Sequence, residues 1–201
     1  MTLRVFLDAA LTNPISADGD FSNPDTGTFN GTDGDSKDRQ LWIANSQAAL
    51  SAAADASQTQ ISLTRPVFAD GDVLVVGFEH LRVFSGGGTV TLTVERGYAG
   101  STAAEHIADA VVYSALDHGD VTVSVYDAEG SDERQWIRLA VDQAALDTAT
   151  DGASLVLGAK PHDQVLTFWR RVTVPAGTPV QAKIDLGLEI SAIESPAQAG
   201  A

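Results

Sequence analysis

The sequence predicts an all-β protein built from sandwiches or barrels. Apolar residues alternate with polar ones, or form short β-branched runs that end at Gly, Pro, Asn or Asp. Segments rich in helix-forming residues are scarce, and closely spaced strands without long intervening helices are typical of all-β chains. The segments predicted as strands are Thr2–Leu7, Leu41–Ala44, Thr59–Thr64, Val73–Phe78, His80–Phe84, Val90–Glu95, Ala110–Ser114, Val121–Asp127, Gln135–Val141, Ser154–Leu157, Gln164–Val174 and Gln181–Ile193.

Two of these strands also predict which side chains face the core. At 121–127 the valines alternate with Thr, Ser and Tyr, and in the closing strand one face carries Ile184, Leu186, Leu188 and Ile190. Strict alternation predicts a strand with one buried face and one wet face.

Only two segments favour helix. Ser46–Ser57 is rich in alanine, a strong helix former, although its face offers little apolar surface to bury. Asp142–Thr148 predicts a single helical turn.

The domain organisation follows from shifts in composition. The segment from Leu11 to Arg39 is dense in turn-forming residues, and we expect a long ordered excursion across a sheet that can include one short strand and is anchored by Phe21 and Phe29 in the core. Residues 46–116 have strands and a glycine hairpin (Gly86–Gly88) of their own. Because insertions are tolerated where loop ends lie close together, we predict a β-sandwich from residues 1–45 and 117–201 with a small β-domain inserted at 46–116.

Charge and cysteine content exclude several classes of function. The 201 residues contain 12 Lys and Arg against 27 Asp and Glu, a net charge of −15, and no cysteine. Disulfides and thiolate metal sites are therefore excluded, and binding to nucleic acid or to anionic lipid is disfavoured. The longest apolar run, Val73–Val76, predicts no membrane span, and no secretory signal is expected at the start. Because the negative charge is spread over the whole chain, it fits a protein that works in concentrated salt. It fits equally well an acidic protein encoded by a GC-rich genome.

No catalytic constellation is visible, so we expect no enzyme and no cofactor. The four histidines form no zinc pattern, and Glu79 and His80 are adjacent in a strand, which sends their side chains to opposite faces. Carboxylates on glycine-containing turns provide one weak candidate site for a structural divalent cation, formed by Asp33, Asp35 and Asp38 near Asn30. Solvated turn carboxylates are the simpler interpretation.

One passage resembles a motif of structural proteins of tailed viruses. It runs from Val94 to His106 (VERGYAGSTAAEH), follows an apolar strand with an acidic residue and a glycine-rich hairpin, and covers about residues 58–114. In that family a strand ends in an Arg-Gly-aromatic turn, followed by Gly-[Ser/Thr]-x-Ala-x-x-His. The motif residues are Arg96, Gly97, Tyr98, Gly100 and His106, and from their chemistry we expect Arg96, Tyr98 and His106 to hold the fold rather than to bind a ligand. We expect the two glycines to adopt positive φ and Arg96 to hydrogen-bond loop carbonyls.

A second passage, Thr167–Pro179 (TFWRRVTVPAGTP), is similar to the closing hairpin of immunoglobulin-like virion domains. The opening DGDFSNPDTGTFNG resembles the start of the same domains. Together the resemblances imply an immunoglobulin-like β-sandwich with a small β-barrel-like domain inserted.

The function implied is a structural component of a tailed virus particle, at the tail tip, baseplate or fibre attachment. It would be assembled in the host cytoplasm through contacts with other virion proteins and copies of itself. Aromatic and arginine side chains concentrate contact energy, which makes Trp42, Trp136, Trp169, Arg170 and Arg171 interface candidates, although three Trp in such a chain are often core residues. The alternatives are a capsid decoration, turret or neck protein, and a module that binds a host-surface glycan; a hydrolase with an unrecognised site is the most remote.

Overall fold

The computed structural model describes residues 3–16, 22–128 and 132–198, and they form an all-β protein, as predicted. Helical structure within these ranges is confined to short 3₁₀ segments at Tyr98–Gly100, Asp132–Trp136 and Ala144–Asp147. The strands are β1 Leu3–Phe6, β2 Asp35–Asn45, β3 Gln47–Ala49, β4 Gln60–Ser62, β5 Val73–Val76, β6 Glu79–Ser85, β7 Thr91–Glu95, β8 Val111–Ser114, β9 Leu116–Asp127, β10 Ile137–Ala140, β11 Leu155–Lys160, β12 Leu166–Val174 and β13 Leu186–Pro196.

Strands from the two ends of the chain form a β-sandwich. One sheet has the order β1-β2-β12-β10 and the other β11-β9-β13, and all pairs are antiparallel. Apolar side chains of both sheets meet in one core, which includes Leu41 and Ile43 from β2, Phe168 from β12 and Val121 and Val123 from β9. The valines of 121–127 are buried and their neighbours are not, so the predicted alternation is confirmed there.

The closing strand lies further along the chain than predicted. It begins at Leu186, so Ile184 lies outside it and is 72% exposed, whereas Leu186, Leu188 and Ile190 pack against the core. Asp185 and Lys183 instead take part in an ion-pair cluster, in which Lys183 Nζ lies 2.8 Å from Glu133. The alternating pattern therefore gave the correct face but extended the strand beyond the residues that pair with β9.

The strands between residues 47 and 114 form a separate six-stranded sheet, in the order β3-β8-β5-β6-β7-β4, which curves as a half-barrel around its own core. Sheet membership thus changes at residues 46 and 115, while the folding of 46–116 as an independent domain stays a prediction. The buried core of this sheet consists of Ala48, Leu50, Ala54, Ile61, Leu63, Phe68, Leu74, Val76, Leu81, Val83, Leu92, Val94 and Val112.

The helix favoured by the alanine-rich segment Ser46–Ser57 does not form. Its first residues are the edge strand β3, and isolated bridges join Leu50 to Leu63 and Ala54 to His106. Ala48, Leu50 and Ala54 are at most 3% exposed, so this segment closes one edge of the core. The packing of these small side chains against a curved sheet stabilises the extended conformation more than the helix propensity of alanine stabilises a helix.

The excursion after Leu11 is shorter than predicted, because β2 already begins at Asp35 and pairs with β12 from Asp35 to Ile43. Phe29 does not enter the core. Its ring is half-buried, and the ammonium of Lys37 lies 5.1 Å from the ring centroid. Phe21, the other predicted anchor, lies outside the described residues.

Candidate functional site

The motif that resembles virion proteins is organised around one buried carboxylate, Glu79. Glu79 is the first residue of β6, and its side chain has no exposed area. Arg96, just beyond the end of β7, donates from Nε to Oε1 at 2.7 Å and from Nη2 to Oε2 at 2.8 Å. This bidentate geometry is the strongest form of a carboxylate–guanidinium pair.

The loop after Arg96 supplies the remaining partners of Glu79. The backbone N–H groups of Gly97 and Ala104 donate to the carboxylate at 3.0 and 3.1 Å, and His106 Nε2 lies 2.7 Å from Oε2. Burial acts to raise the pKa of Glu79, but the Arg96 guanidinium and the other hydrogen bonds outweigh it and lower the pKa to about 2. The carboxylate is therefore ionised at any physiological pH and fixes both ends of the loop.

Arg96 also holds the surrounding backbone. Its Nη1 donates to the carbonyls of Asp55 and Gln58 and its Nη2 to that of Ala104, which are the loop-carbonyl bonds expected from the sequence. Gly97 (φ 60°) and Gly100 (φ 85°) adopt the left-handed conformations that glycine permits. Tyr98 is half-buried, with the Arg82 guanidinium 5.7 Å from its ring centroid.

In the sequence Glu79 is adjacent to His80, and the sequence alone predicts no partner for the Glu79 carboxylate. The actual partners, Arg96 and His106, lie 17 and 27 residues further along the chain. The signal that could have found them was the acidic residue noted in the preceding strand, because a charge inside an apolar strand requires a partner.

Two large apolar side chains are exposed where this network reaches the surface. Phe78 and Ile107, neighbours in sequence of Glu79 and His106, are 76% and 77% exposed. Phe78, Glu79 and His106 line a groove of about 430 Å³ together with Gly77, Thr102, Ala104 and Glu105. Two apolar side chains, one in the turn between β5 and β6 and one directly after His106, are thus exposed beside the hydrogen-bonded loop.

A second surface lies on the outer face of the four-stranded sheet and is rich in charge. Arg171 on β12 donates to Asp38 on β2 at 2.6 and 2.9 Å and to Asp147 at 2.6 Å. These bonds raise the pKa of Arg171, and its guanidinium holds the pKa of Asp38 below the usual value. An open cleft of about 490 Å³ adjoins this cluster and is lined by Ser36, Asp132, Gln135, Trp136, Arg138, Asp151, Arg171, Thr173 and Pro175.

The three tryptophans do not form one patch, although all are half-buried. Trp42 faces Thr167 in register and packs against Phe6, Leu11 and Ala44. Trp169 faces Gln40 on the same face of the same sheet, so it is a diagonal neighbour of Trp42. Trp136 lines the charged cleft instead.

Arg170 differs from the other interface candidates because it points into the sandwich. Its side chain is 14% exposed and forms an ion pair with Asp25, which also pairs with Arg39. Burial lowers the pKa of Arg170. Of the two arginines singled out, Arg171 is the one that faces outward.

The candidate cation ligands have separate partners. Asp33 accepts a hydrogen bond from the Asn30 amide at 2.9 Å and Asp35 accepts one from the Asn30 backbone at 3.2 Å, whereas Asp38 binds Arg171 and Gln143. Within residues 3–16, 22–128 and 132–198, no group of three or more His, Cys, Asp or Glu side chains is placed to hold a metal ion.

A buried polar cluster occupies the point where the chain leaves the sandwich at Asn45 and returns at Leu116. Asn45 and Lys160 are 1% and 0% exposed. Lys160 Nζ donates to Asn45 Oδ1 at 2.5 Å and to the Pro161 carbonyl at 3.2 Å. Nearby, Asp117 Oδ1 accepts from the His162 backbone N–H at 2.7 Å and lies 3.0 Å from His162 Nδ1. No sequence motif marked this cluster.

The described part of the chain contains no helix long and apolar enough to span a membrane. No model of a known protein family matches the chain, and a search of curated proteins gives no match.

Proposed function

We propose that this chain is a structural component of a tailed virus particle, at the tail tip, baseplate or fibre attachment. It works by assembly with other virion proteins and copies of itself, without catalysis, and is located in the virion after assembly in the host cytoplasm. The observation that carries the proposal is the loop at 96–106, whose Arg96 and His106 side chains bind Glu79 while the neighbouring Phe78 and Ile107 are exposed.

The geometry of this loop favours a docking role. Arg96, His106 and two backbone N–H groups all point at one unexposed carboxylate, so their hydrogen bonds hold the fold. Exposed aromatic and aliphatic side chains on a rigid support are the kind of anchor that protein interfaces use.

Replacing the displayed side chains tests the proposal. We expect the full chain to form oligomers in concentrated salt and the double variant Phe78→Ser and Ile107→Ser to lose them, as measured by sedimentation. Phe84→Ser is the matched control, since Phe84 is equally exposed (79%) but lies at the other end of β6, and it should assemble normally. A wild-type chain that stays monomeric at all salt concentrations and protein concentrations would contradict self-assembly.

Location in the particle separates tail from capsid. A tail component occupies a ring around the tail axis, whereas a capsid decoration or turret protein follows the icosahedral lattice. Cryo-electron microscopy of intact particles, with the chain located by labelled antibody fragments, distinguishes these positions, and a neck protein would lie between them.

A host-glycan-binding module is the second candidate, because the cleft beside Arg171 combines an aromatic ring with polar side chains. Sugar binding uses such a combination of an apolar face and directed hydrogen bonds. On a glycan array, Trp136→Ala should abolish binding, while Trp42→Ala, which packs against Phe6, should keep it. An array without any bound glycan would remove this candidate.

A further inference from the structure

Lys160 and Asn45 bring an amine and a carboxamide together in the interior. Asn45 ends β2 of the four-stranded sheet, and Lys160 ends β11 of the three-stranded sheet, 115 residues later. Their side chains meet at 2.5 Å between Nζ and Oδ1, and both residues are excluded from water.

The amide of Asn45 is held with its carbonyl toward the lysine. Its Nδ2 donates to the backbone carbonyls of Ser114 and Leu116 at 3.1 and 2.7 Å, and both of these partners are acceptors. The orientation is therefore set by the chemistry of the neighbours. The amide oxygen Oδ1 faces the amine, and Cγ is the atom bonded to that oxygen.

The amine is placed in surroundings that favour its neutral form. Among the described residues, no carboxylate oxygen lies within ion-pair distance of Nζ. Burial lowers the pKa of Lys160 to about 8, although the charges of Asp117 and Asp163 act to raise it. On the order of a tenth of the amine is then neutral at pH 7, and only a neutral amine is a nucleophile.

We propose that Lys160 and Asn45 form an intramolecular isopeptide bond after folding. Nζ attacks Cγ of Asn45, a C–N bond forms between them, and the bond from Cγ to Nδ2 breaks. One proton passes from Nζ to the leaving nitrogen, which departs as ammonia. The reaction needs no oxidant, no metal and no second substrate.

His118 is the group placed to carry that proton. It faces Lys160 in register across β9 and β11, and its side chain is fully buried. Burial and the neighbouring lysine lower the pKa of His118, so its ring is neutral at pH 7 and can accept a proton. Asp120, with φ 51°, interrupts the regular alternation of β9, which leaves both His118 and Val121 buried.

The bond would join the two sheets of the sandwich at the base of the inserted segment. It would close a loop that contains all of β3–β8, in a chain that has no cysteine to form such a link. Closed loops of this kind restrict the unfolded chain, and an amide link does so independently of the redox environment.

The intact mass of the purified, denatured full chain tests the proposal directly. We expect a mass lower than the encoded one by one ammonia molecule. After trypsin digestion, we expect the peptides 40–82 and 139–170 to appear as one joined species, since Pro66 prevents cleavage after Arg65 and Pro161 prevents cleavage after Lys160. The encoded mass, or a mass loss without joined peptides, would overturn the proposal.

Matched variants exclude other sources of the mass loss. Cyclisation at Asn30-Gly31 also releases ammonia, so the loss must persist in Asn30→Ala and disappear in Asn45→Ala and Lys160→Met. In Asn45→Asp the same bond would release water in place of ammonia. Lys37→Met, which removes an exposed lysine, must leave the mass loss unchanged.

Discussion

The six-stranded sheet and the sandwich each bury an ionisable side chain, and they do so in opposite ways. Glu79 in the sheet has a bidentate arginine, a histidine and two backbone N–H groups as partners. Among the described residues, the hydrogen-bond partners of the Lys160 amine in the sandwich are two neutral oxygens. Both pKa values are lowered, to about 2 and about 8, but the shift favours the charged form of Glu79 and the neutral form of Lys160.

The difference shows what decides whether the charged or the neutral form of a buried side chain is favoured. Desolvation opposes charge at both sites, and only at Glu79 do enough donors converge to outweigh it. A fully paired carboxylate is chemically inert and holds a loop, whereas a buried amine without a counterion keeps its reactivity. The first region therefore supports a displayed surface, and the second holds the pair for which we propose a covalent bond.

Removing Arg96 should produce the largest effect on stability. Arg96→Ala leaves the Glu79 carboxylate buried without its cation, and we expect a loss of about 3–5 kcal/mol in the free energy of unfolding. Urea denaturation measures it. Arg82→Ala is the control, because Arg82 is exposed and contacts only the Tyr98 ring among the described interactions, so its loss should cost at most about 1 kcal/mol. Equal effects of the two substitutions would show that the buried pair does not hold the loop.

Acid should weaken the protein through the same carboxylate. The folded pKa of Glu79, about 2, lies below its ordinary value of 4.5, so its contribution is complete above pH 4.5 and is lost as the pH falls toward 2. The shift corresponds to about 3 kcal/mol. The difference in unfolding free energy between the wild type and Glu79→Gln should therefore shrink across this interval. A constant difference would mean that the pKa of Glu79 is the same in the folded and the unfolded chain.

The smallest effect is expected on the outer face of the sandwich. Arg138 is 32% exposed and its partner Asp151 is 49% exposed, so Arg138→Ala should have the small cost typical of an exposed ion pair at low salt and a smaller one at high salt. The whole chain should instead become more stable in multimolar salt, because its charge of −15 is then screened. Thermal unfolding at both salt concentrations measures these opposite trends. Equal stability of the wild type in both would remove the concentrated-salt interpretation.

The fold was more predictable than the contacts. Strand positions followed from alternation that is local in sequence, as in β9, whereas β3 was missed because its alanines carry a helix-forming signal. The site was only partly predictable. The motif identified Arg96 and His106, but the identity of their shared partner depends on strand pairing between β6 and β7.

The sequence by itself determined that this chain forms β-sheets, that it has no thiol chemistry and that its surface is strongly acidic. These properties depend on composition and on a period of two residues, which neighbours in the chain already express. Only the tertiary structure decided which charges would be paired. Lys160 meets Asn45, and Glu79 meets Arg96, because strands distant in sequence are brought into register, and the free energy of a buried charge depends on those neighbours.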